Sequence, residues 1–167
     1  MIYEKPDPGL NVDQGDIFES VPIVQISEFD TAIPETPTLV CEVSRVVVLT
    51  QTCDFANKKT TRATVAVLCN AQSLVDTKVL KSADIRGPIR AGRVFGWYYL
   101  PRFDDVGIEE SIIDLRQIYT VPLQLLQSLS KVGRRLARIQ PLYREHLAKH
   151  FADTYCRIGL PQPYETE

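Results

Sequence analysis

The sequence has few cysteines, few histidines and a single tryptophan. Four cysteines and two histidines occur in 167 residues. The cysteines are irregularly spaced, and a chain of this length can bury a core without disulfides, so we expect reduced thiols. No CxxC pair is present. A zinc site that combines Cys41, Cys53 and Cys69 with a histidine is therefore less favoured than core packing of these small side chains.

The sequence also lacks a long apolar run. No stretch approaches the ~18 consecutive apolar residues that indicate a membrane span. The first ten residues, "MIYEKPDPGL", have neither the basic start nor the apolar segment of a signal peptide. We therefore expect a cytoplasmic protein without membrane contact. The composition, 44% hydrophobic and 24% charged, is typical of a globular chain, and the length favours one compact domain.

The charge is unevenly distributed along the chain. Residues 1–60 contain ten acidic and four basic residues, whereas the whole chain has a net charge of only −2. The remaining residues are therefore net positive by four. This asymmetry is typical either of nucleic-acid binding on the basic side or of self-association through complementary faces.

The hydrophobic pattern predicts five or six strands within residues 14–122, after an irregular lead-in over residues 1–13. Short polar connections between these strands favour a small barrel or a strongly bent sheet over a doubly wound fold. Residues 73–93 interrupt the pattern with some helical spacing and then glycine and proline. The predicted strands lie in the segments "QGDIFESVPIVQI", "TLVCEVSRVVVLTQ", "TRATVAVLCNA", "VFGWYYLP" and "ESIIDLRQIYTVP".

The periodicity becomes helical after residue 122, so residues 123–160 are predicted to form C-terminal helices. The segment "LQLLQSLSKVGRRLARI" is typical of one helix, weakened at Gly133. A second helix is predicted from Pro141 to Gly159. Its apolar stripe should pack on the barrel or on its own copy in a homodimer, and residues 161–167 form a tail. The stripe consists of Tyr143, Leu147, Phe151, Tyr155 and Ile158.

The segment "SRVVVLTQTCDF" breaks from a buried strand into polar residues without a glycine or proline. At the rim of a barrel, Thr50, Gln51 and Thr52 would orient a ligand, and Asp54 would serve as a base or hydrogen-bond acceptor. In the alternative interpretation, Thr52 and Asp54 cap a turn. Cys53 is a poor candidate nucleophile, because the neighbouring acid raises a thiol pKa.

Four segments, in order, resemble the PemK/MazF/Kid toxin family, whose fold is an SH3-like barrel. The resemblance covers about residues 14–74 and 110–128. It implies a mainly β, α+β protein: a small barrel of five to six strands followed by one or two C-terminal helices. A wider set of motifs also resembles small bacterial and phage proteins, for which no activity is implied. The segments that resemble the toxins are "QGDIF", "SRVVVLTQ", "VAVLCNAQS" and "SIIDLRQIYTVPLQLL".

The resemblance implies a set of catalytic positions. Family members that cleave RNA do so without metal or cofactor. Their arginine falls on Arg45, which would neutralise charge that develops on a phosphate, and a late Asp-Arg pair falls on Asp114 and Arg116. Val46 stands where the family usually has proline. Asn70 stands near a frequent threonine, and an amide cannot act as general acid or base.

A basic run follows in the C-terminal part. If the chain is helical there, Arg134, Arg135 and Arg138 lie close enough to form a phosphate-binding patch. Aromatic residues at positions 97–99 would offer stacking surfaces for bases. The alternative is a solvated helix face beside aromatic core strands. His146 and His150 have the spacing of a metal-binding pair but not the HExxH motif, and a solvated flank is the favoured interpretation.

Two functions follow from these patterns. The first is a catalytically silent or weakly active PemK/MazF-like module that binds RNA or a protein partner in a bacterial toxin-antitoxin, phage or defence setting. The alternative is a metal-independent endoribonuclease toxin that cleaves single-stranded RNA, with Asp54 or Asp114 transferring protons. Asn70 favours the first and the family resemblance favours the second, so the sequence leaves open whether the protein is an enzyme.

Overall fold

The computed structural model describes residues 2–156. Seven strands form one antiparallel sheet in the order β1-β7-β2-β3-β4-β6-β5. The mainly β, α+β prediction is confirmed at this level, with more strands than expected and no backbone pairing between the two edge strands in the described part. The strands are β1 (Tyr3–Glu4), β2 (Asp16–Glu28), β3 (Thr38–Val48), β4 (Arg62–Asn70), β5 (Trp97–Leu100), β6 (Ser111–Pro122) and β7 (Arg135–Ile139).

The helices are short except for the last. A π-helical turn (Ile85–Ile89) and a 3-10 turn (Asp104–Val106) complete the regular structure. Within residues 2–156, no helix is long and apolar enough to cross a membrane. The helices are α1 (Thr52–Ala56), α2 (Ala71–Asp76), α3 (Ser82–Asp84), α4 (Leu123–Lys131) and α5 (Pro141–Tyr155).

The sheet curls until its two edges meet through side chains. Tyr3 on β1 donates its hydroxyl hydrogen to the Pro101 carbonyl just beyond β5 (2.7 Å), and its ring stacks on Phe103 with centroids 5.1 Å apart. A bulge in β2 after Phe18, with Ser20 at a φ of 60°, helps the sheet to bend. One core cluster, which includes Tyr3 and residues of six strands, fills the concave side.

Helix α5 covers this concave side. Leu147 is buried in the first core cluster and Phe151 packs against it. The Tyr155 hydroxyl donates to the Leu115 carbonyl (2.6 Å), which fastens the end of the helix to β6. Leu147 and Phe151 of the predicted stripe therefore pack on the sheet of their own chain, whereas Tyr143 and Tyr155 are about half exposed, and a homodimer through this stripe stays a prediction. Ile158, the predicted helix end at Gly159 and the tail over residues 161–167 lie outside the described residues.

Two local predictions are wrong. The single helix over residues 123–139 ends at Lys131, because Gly133 adopts a φ of 76° and turns the chain into β7. The irregular lead-in contains β1, in which Tyr3 pairs with Ile139 of β7. Neither segment has enough alternation of apolar and polar residues to predict a strand. Each adopts the strand conformation because it pairs with a neighbouring strand. The domain boundaries at residues 13, 122 and 160 stay predictions.

Strands β2 and β3 extend beyond the sheet as a two-stranded arm, which we define as residues 24–43. Strand β7 pairs with β2 only over Asp16–Phe18, and β4 pairs with β3 only over Val46–Val48. The outer halves of β2 and β3 therefore pair only with each other. Nearly every residue of the arm is exposed.

Candidate functional site

The polar residues after β3 form a short helix and not an open loop. The Thr50 hydroxyl accepts a hydrogen bond from the Thr64 amide (2.7 Å) and so continues the ladder between β3 and β4. Gln51 is the N-cap residue of α1, although its side chain forms no cap, and it is exposed together with Thr52. Asp54 lies 3.7 Å from the Lys59 ammonium. The strand ends in polar residues because the chain turns there into α1.

A groove of about 1090 Å³ lies beside α1, between the N-terminal segment, the loop before β4 and the start of α4. Its apolar side includes Val12, Phe55 and Leu123, which also belong to or pack on the second core cluster. Thr52 is the predicted rim residue that lines it. The further polar side chains that line the groove are Asn11, Asp13, Lys58, Thr60, Thr61, Arg62, Gln124, Gln127 and Arg138.

Several donors in the groove have no protein partner. Within the described residues, the side chains of Lys58, Gln124 and Gln127 make no hydrogen bond or ion pair. Arg62 differs, because its guanidinium donates to the Thr120 hydroxyl (3.1 Å) and carbonyl (2.7 Å). Unpaired donors that surround an apolar floor are typical of a ligand site.

The first turn of α4 adds positive potential to the groove. Pro122 is the N-cap residue and offers no side-chain cap, while the Leu123 amide donates to the Thr61 carbonyl (2.9 Å). No N-cap side chain accepts a hydrogen bond from the following amides of the first turn, and the helix dipole places partial positive charge there. Together with Lys58, this end of the groove suits an anionic group such as a phosphate.

Asp114 and Arg116 lie in a different place, on β6 beside β5. Asp114 is buried and accepts from Arg116 Nε (3.0 Å) and Nη2 (3.1 Å), and from the Arg116 amide (3.0 Å). The hydrogen bonds that Arg116 donates to Asp114 raise the pKa of Arg116, and the guanidinium carbon lies 3.9 Å from the Trp97 ring centroid. Asp114 is thus occupied in positioning Arg116 on Trp97 and is not a free base.

Both polar atoms of the Asn70 side-chain amide have a partner within the protein. Its side-chain oxygen accepts from the Ser73 amide (2.9 Å) and caps α2, and its nitrogen donates to the Glu109 carboxylate. An N-cap of this kind stabilises a helix by satisfying one of its orphan amides. The contacts of Asn70 therefore account for its position without a catalytic role.

Arg45 lies at the base of the arm. Its guanidinium is 4.0 Å from the Glu19 carboxylate and 3.4 Å from the Gly107 carbonyl, both long contacts. Glu19 makes its shorter ion pair with Arg134 (2.9 Å). Within the described residues, no hydrogen bond or ion pair joins Arg45 to any other predicted catalytic residue. The structure does not assemble the four predicted catalytic residues into one site.

The predicted arginine patch is wrong in its geometry, because these residues lie on or beside β7 and not on a helix. Arg135 is buried and donates to Asp16 (3.1 Å) and to carbonyls of the N-terminal segment. Arg138 donates to both Asp16 oxygens (2.5 and 3.0 Å). Burial lowers the pKa of Arg138, but the hydrogen bond to Asp16 raises it, and the net direction is upward. These two arginines hold the N-terminal segment on the sheet.

His150 and two of the cysteines also differ from prediction, whereas His146 is exposed as expected. His150 is buried, and its Nε2 donates to the Val94 carbonyl (3.1 Å), whereas a solvated flank was expected. His146 Nδ1 lies 3.1 Å from the Tyr98 hydroxyl. Cys41 and Cys53 are exposed free thiols and not core residues. Among the described residues, no group of three or more histidine, cysteine or acidic side chains is arranged to hold a metal.

Sequence reasoning missed Lys58, Gln124 and Gln127. The loop "ANKKTT" carried a signal in its two adjacent lysines, but only the fold brings it against the start of α4. No protein-family model matches the chain, and no curated protein matches it. Function is therefore inferred from the geometry and chemistry of the side chains themselves.

Proposed function

We propose that the protein is a PemK/MazF-like binding module that holds single-stranded RNA in the groove beside α1 without cleaving it. The observation that carries the proposal is the convergence of unpaired donors on an apolar floor. Lys58, Gln124 and Gln127 have no partner within the described residues, and the uncapped start of α4 adds its amides.

The chemistry of the groove supports RNA over a protein partner. A lysine ammonium and a helix N-terminus both bind phosphate oxygens, and glutamine amides can both donate to and accept from base edges. Phe55 on the floor offers apolar contact for a base. The groove has one acidic lining residue, Asp13, and it is paired with Arg144 at 3.0 Å. An anionic strand therefore meets little repulsion there.

The positions of the predicted catalytic residues support binding without cleavage. Phosphodiester cleavage needs a group that can take up or release a proton beside the phosphate. Asp114 is engaged by Arg116, Asp54 lies next to Lys59, and Asn70 does not titrate near neutrality. The curled sheet, with its edges joined through Tyr3, supports the likeness to a small barrel. A toxin-antitoxin, phage or defence setting in the cytoplasm is part of the same proposal.

The test is the salt dependence of RNA binding. A fluorescent single-stranded RNA of mixed sequence is titrated with wild type, Lys58→Gln and Lys131→Gln at several salt concentrations. Lys131 is the matched control, because it lies at the opposite end of α4 and does not line the groove. Lys58→Gln should weaken binding and reduce the slope of log Kd against log salt by about 0.7, as expected for one lost phosphate contact on a single strand.

Two results would contradict the proposal. Equal effects of Lys58→Gln and Lys131→Gln would show that the groove is not the binding site. Cleavage of the RNA in EDTA by wild type but not by Arg45→Ala would instead support the alternative, a metal-independent endoribonuclease. Fragment ends sequenced from the same samples distinguish cleavage from binding.

A further inference from the structure

A bulge in β6 presents Arg116 at the surface. Two successive residues of β4 pair with Ile118 and with Asp114, so the β6 residues between these two partners are extra to the ladder. Bulges of this kind redirect a side chain from the regular strand direction. The Arg116 side chain is 55% exposed, whereas that of Asp114 is only 4% exposed. A buried carboxylate therefore holds an arginine that reaches solvent.

Three neighbours fix the plane of the Arg116 guanidinium. Trp97 is paired directly with Asp114 on β5, and its ring centroid lies 3.9 Å from the guanidinium carbon. Gly96 leaves room for the arginine stem, because a Cβ atom there would lie 3.1 Å from Arg116 Cδ. Trp97 and Asp114 are both buried. A side chain that is already held in one orientation loses little conformational freedom when a ligand binds to it.

The contacts of Arg116 occupy one edge of its guanidinium. Asp114 accepts from Nε (3.0 Å) and from Nη2 (3.1 Å), which together form the side edge of the group. Among residues 2–156, none accepts a hydrogen bond from Nη1. Nη1 and the second hydrogen of Nη2 therefore form an end edge with two parallel donors, which we call the free fork. Such a fork matches two acceptor atoms that lie in one plane.

The ion pair also determines which acceptors suit the free fork. The charge of Asp114 offsets that of Arg116, so the pair attracts a phosphate weakly, whereas directional hydrogen bonds to neutral acceptors remain available. A lysine binds phosphate as a point charge, so a phosphate contact alone would not require a fixed plane. Guanine presents two neutral acceptors side by side, O6 and N7, and proteins recognise them most often with a bidentate arginine.

We propose that Arg116 binds a guanine of single-stranded RNA through its free fork, which gives the protein a preference for this base. The proposal rests on the proposed function, because the groove beside α1 is what holds the RNA. Pro122 lines that groove and lies on the same strand as Arg116, at most about 20 Å away at ~3.3 Å per residue. One strand of several nucleotides can reach both places, and unpaired bases expose the edge that carries O6 and N7.

The first experiment compares guanine with uridine. Wild type is titrated at constant salt with three fluorescent RNAs of about ten nucleotides. One contains only uridine, one has guanine at every third position, and one has 7-deazaguanine at those positions. The guanine RNA should bind at least about fivefold more tightly than the uridine RNA. 7-Deazaguanine has carbon in place of N7, so most of this gain should be lost. Lys58→Gln should weaken the uridine and guanine RNAs by the same factor.

The second experiment repeats these titrations with three variants, each checked for folding by circular dichroism. Arg116→Lys keeps the charge but loses the fork, so it should abolish the guanine preference and change the Kd of the uridine RNA by less than about twofold. Arg102→Lys is the matched control and should keep the preference, because Arg102 is exposed beside an exposed carboxylate, that of Asp104 (3.6 Å). Asp114→Asn releases the guanidinium and should also reduce the preference, which assigns Asp114 a positioning role.

Three results would overturn the proposal. The first is equal binding of the guanine and uridine RNAs by wild type, and the second is a guanine preference that persists in Arg116→Lys. The third is tighter binding of both RNAs by Asp114→Asn in equal measure, which would identify phosphate as the ligand of Arg116. In each case, uridine RNA binding that depends on Lys58 would still support the groove, so the two proposals fail separately. Arg116→Lys decides the question even if Asp114→Asn does not fold.

Discussion

The inner and outer halves of β2 and β3 have similar sequences and opposite environments. Ile17, Phe18 and Val46 in the inner halves are fully buried, whereas Val24 and Leu39 in the outer halves are more than half exposed. Both halves are rich in β-branched and aliphatic residues. Such residues specify a strand, but burial depends on what packs against the strand. Here β7 and β4 flank only the inner halves.

The same contrast holds for charge. Asp16, the first residue of β2, is fully buried and accepts hydrogen bonds from Arg135 and Arg138. Glu42 in the outer half is exposed and makes no ion pair within the described residues. Removal of one partner of a buried ion pair is strongly destabilising because the other charge is left buried without compensation, whereas an exposed carboxylate contributes little. Three substitution experiments test how far this contrast extends.

The largest effect is expected for Asp16→Asn. The neutral amide leaves the buried Arg135 guanidinium without its counter-charge, so the free energy of unfolding should fall by about 3–5 kcal/mol. The matched control is Glu42→Gln, for which we expect a change within about 0.5 kcal/mol. Urea denaturation followed by circular dichroism measures both. Comparable losses in the two variants would mean that the arm is as tightly coupled to the core as the inner halves.

An intermediate effect is expected for shortening an apolar side chain. Ile17→Ala opens a cavity in the first core cluster and should lower the free energy of unfolding by about 2–5 kcal/mol. Ile26→Ala in the arm should change it by less than about 0.5 kcal/mol when measured on dilute, monomeric protein. A large loss for Ile26→Ala under those conditions would contradict the exposed position of the arm.

The smallest effect is expected at alkaline pH. It concerns only the part of the protein outside the arm, because residues 24–43 contain no tyrosine. Burial, with the nearby Tyr143, raises the pKa of Tyr98 to about 12 from the usual 10.0. The neutral phenol therefore stabilises the fold fully below pH 10, and this stabilisation is lost as the pH rises through 12, by at most about 1.4 kcal/mol per pKa unit.

Tyr98→Phe should flatten this alkaline decline in the melting temperature. Part of the decline should remain, since burial also raises the pKa of Tyr3, and burial with a hydrogen bond to Glu110 raises that of Tyr99 to about 12. At neutral pH the free energy of unfolding of the variant should be lower by about 1 kcal/mol, the typical net contribution of one hydrogen bond, because the bond to the Tyr143 carbonyl is lost. Identical alkaline profiles for variant and wild type would exclude Tyr98 as a contributor.

The sequence was sufficient for the elements that carry a strong pattern of their own. Strands β2 to β6 and helix α5, with Pro141 at its start, were predicted because alternation or a helical stripe runs through each. Strand β7 was not predicted, because the sequence pattern placed Arg135 and Arg138 on a helix surface. Only the fold shows that Asp16 lies opposite them. A buried charge in a strand can be predicted only when its ion-pair partner is known, and here that partner is about 120 residues away in sequence.

The candidate site was less predictable than the fold. The polar residues after β3 were found, but only Thr52 among them lines the groove. Lys58, Gln124 and Gln127 are common surface residue types, and apart from the lysine next to Lys58 nothing local distinguishes them. Their significance comes from the absence of partners, which is a property of the folded chain. Similarly, within the described residues no hydrogen bond or ion pair joins the predicted catalytic residues Arg45, Asp54 and Asp114, because they lie on separate elements.

The pairing of Tyr3 with Ile139 has a consequence for synthesis on the ribosome. The N-terminal strand emerges first, but its partner strand appears only after most of the chain has been translated. Until then, Asp16 lacks its partners Arg135 and Arg138, and the edge of β2 lacks its neighbouring strand β7. The sheet therefore closes its N-terminal side late, and a ribosome that stalls before residue 135 would present an incomplete sheet with an unpaired acidic edge to chaperones and proteases.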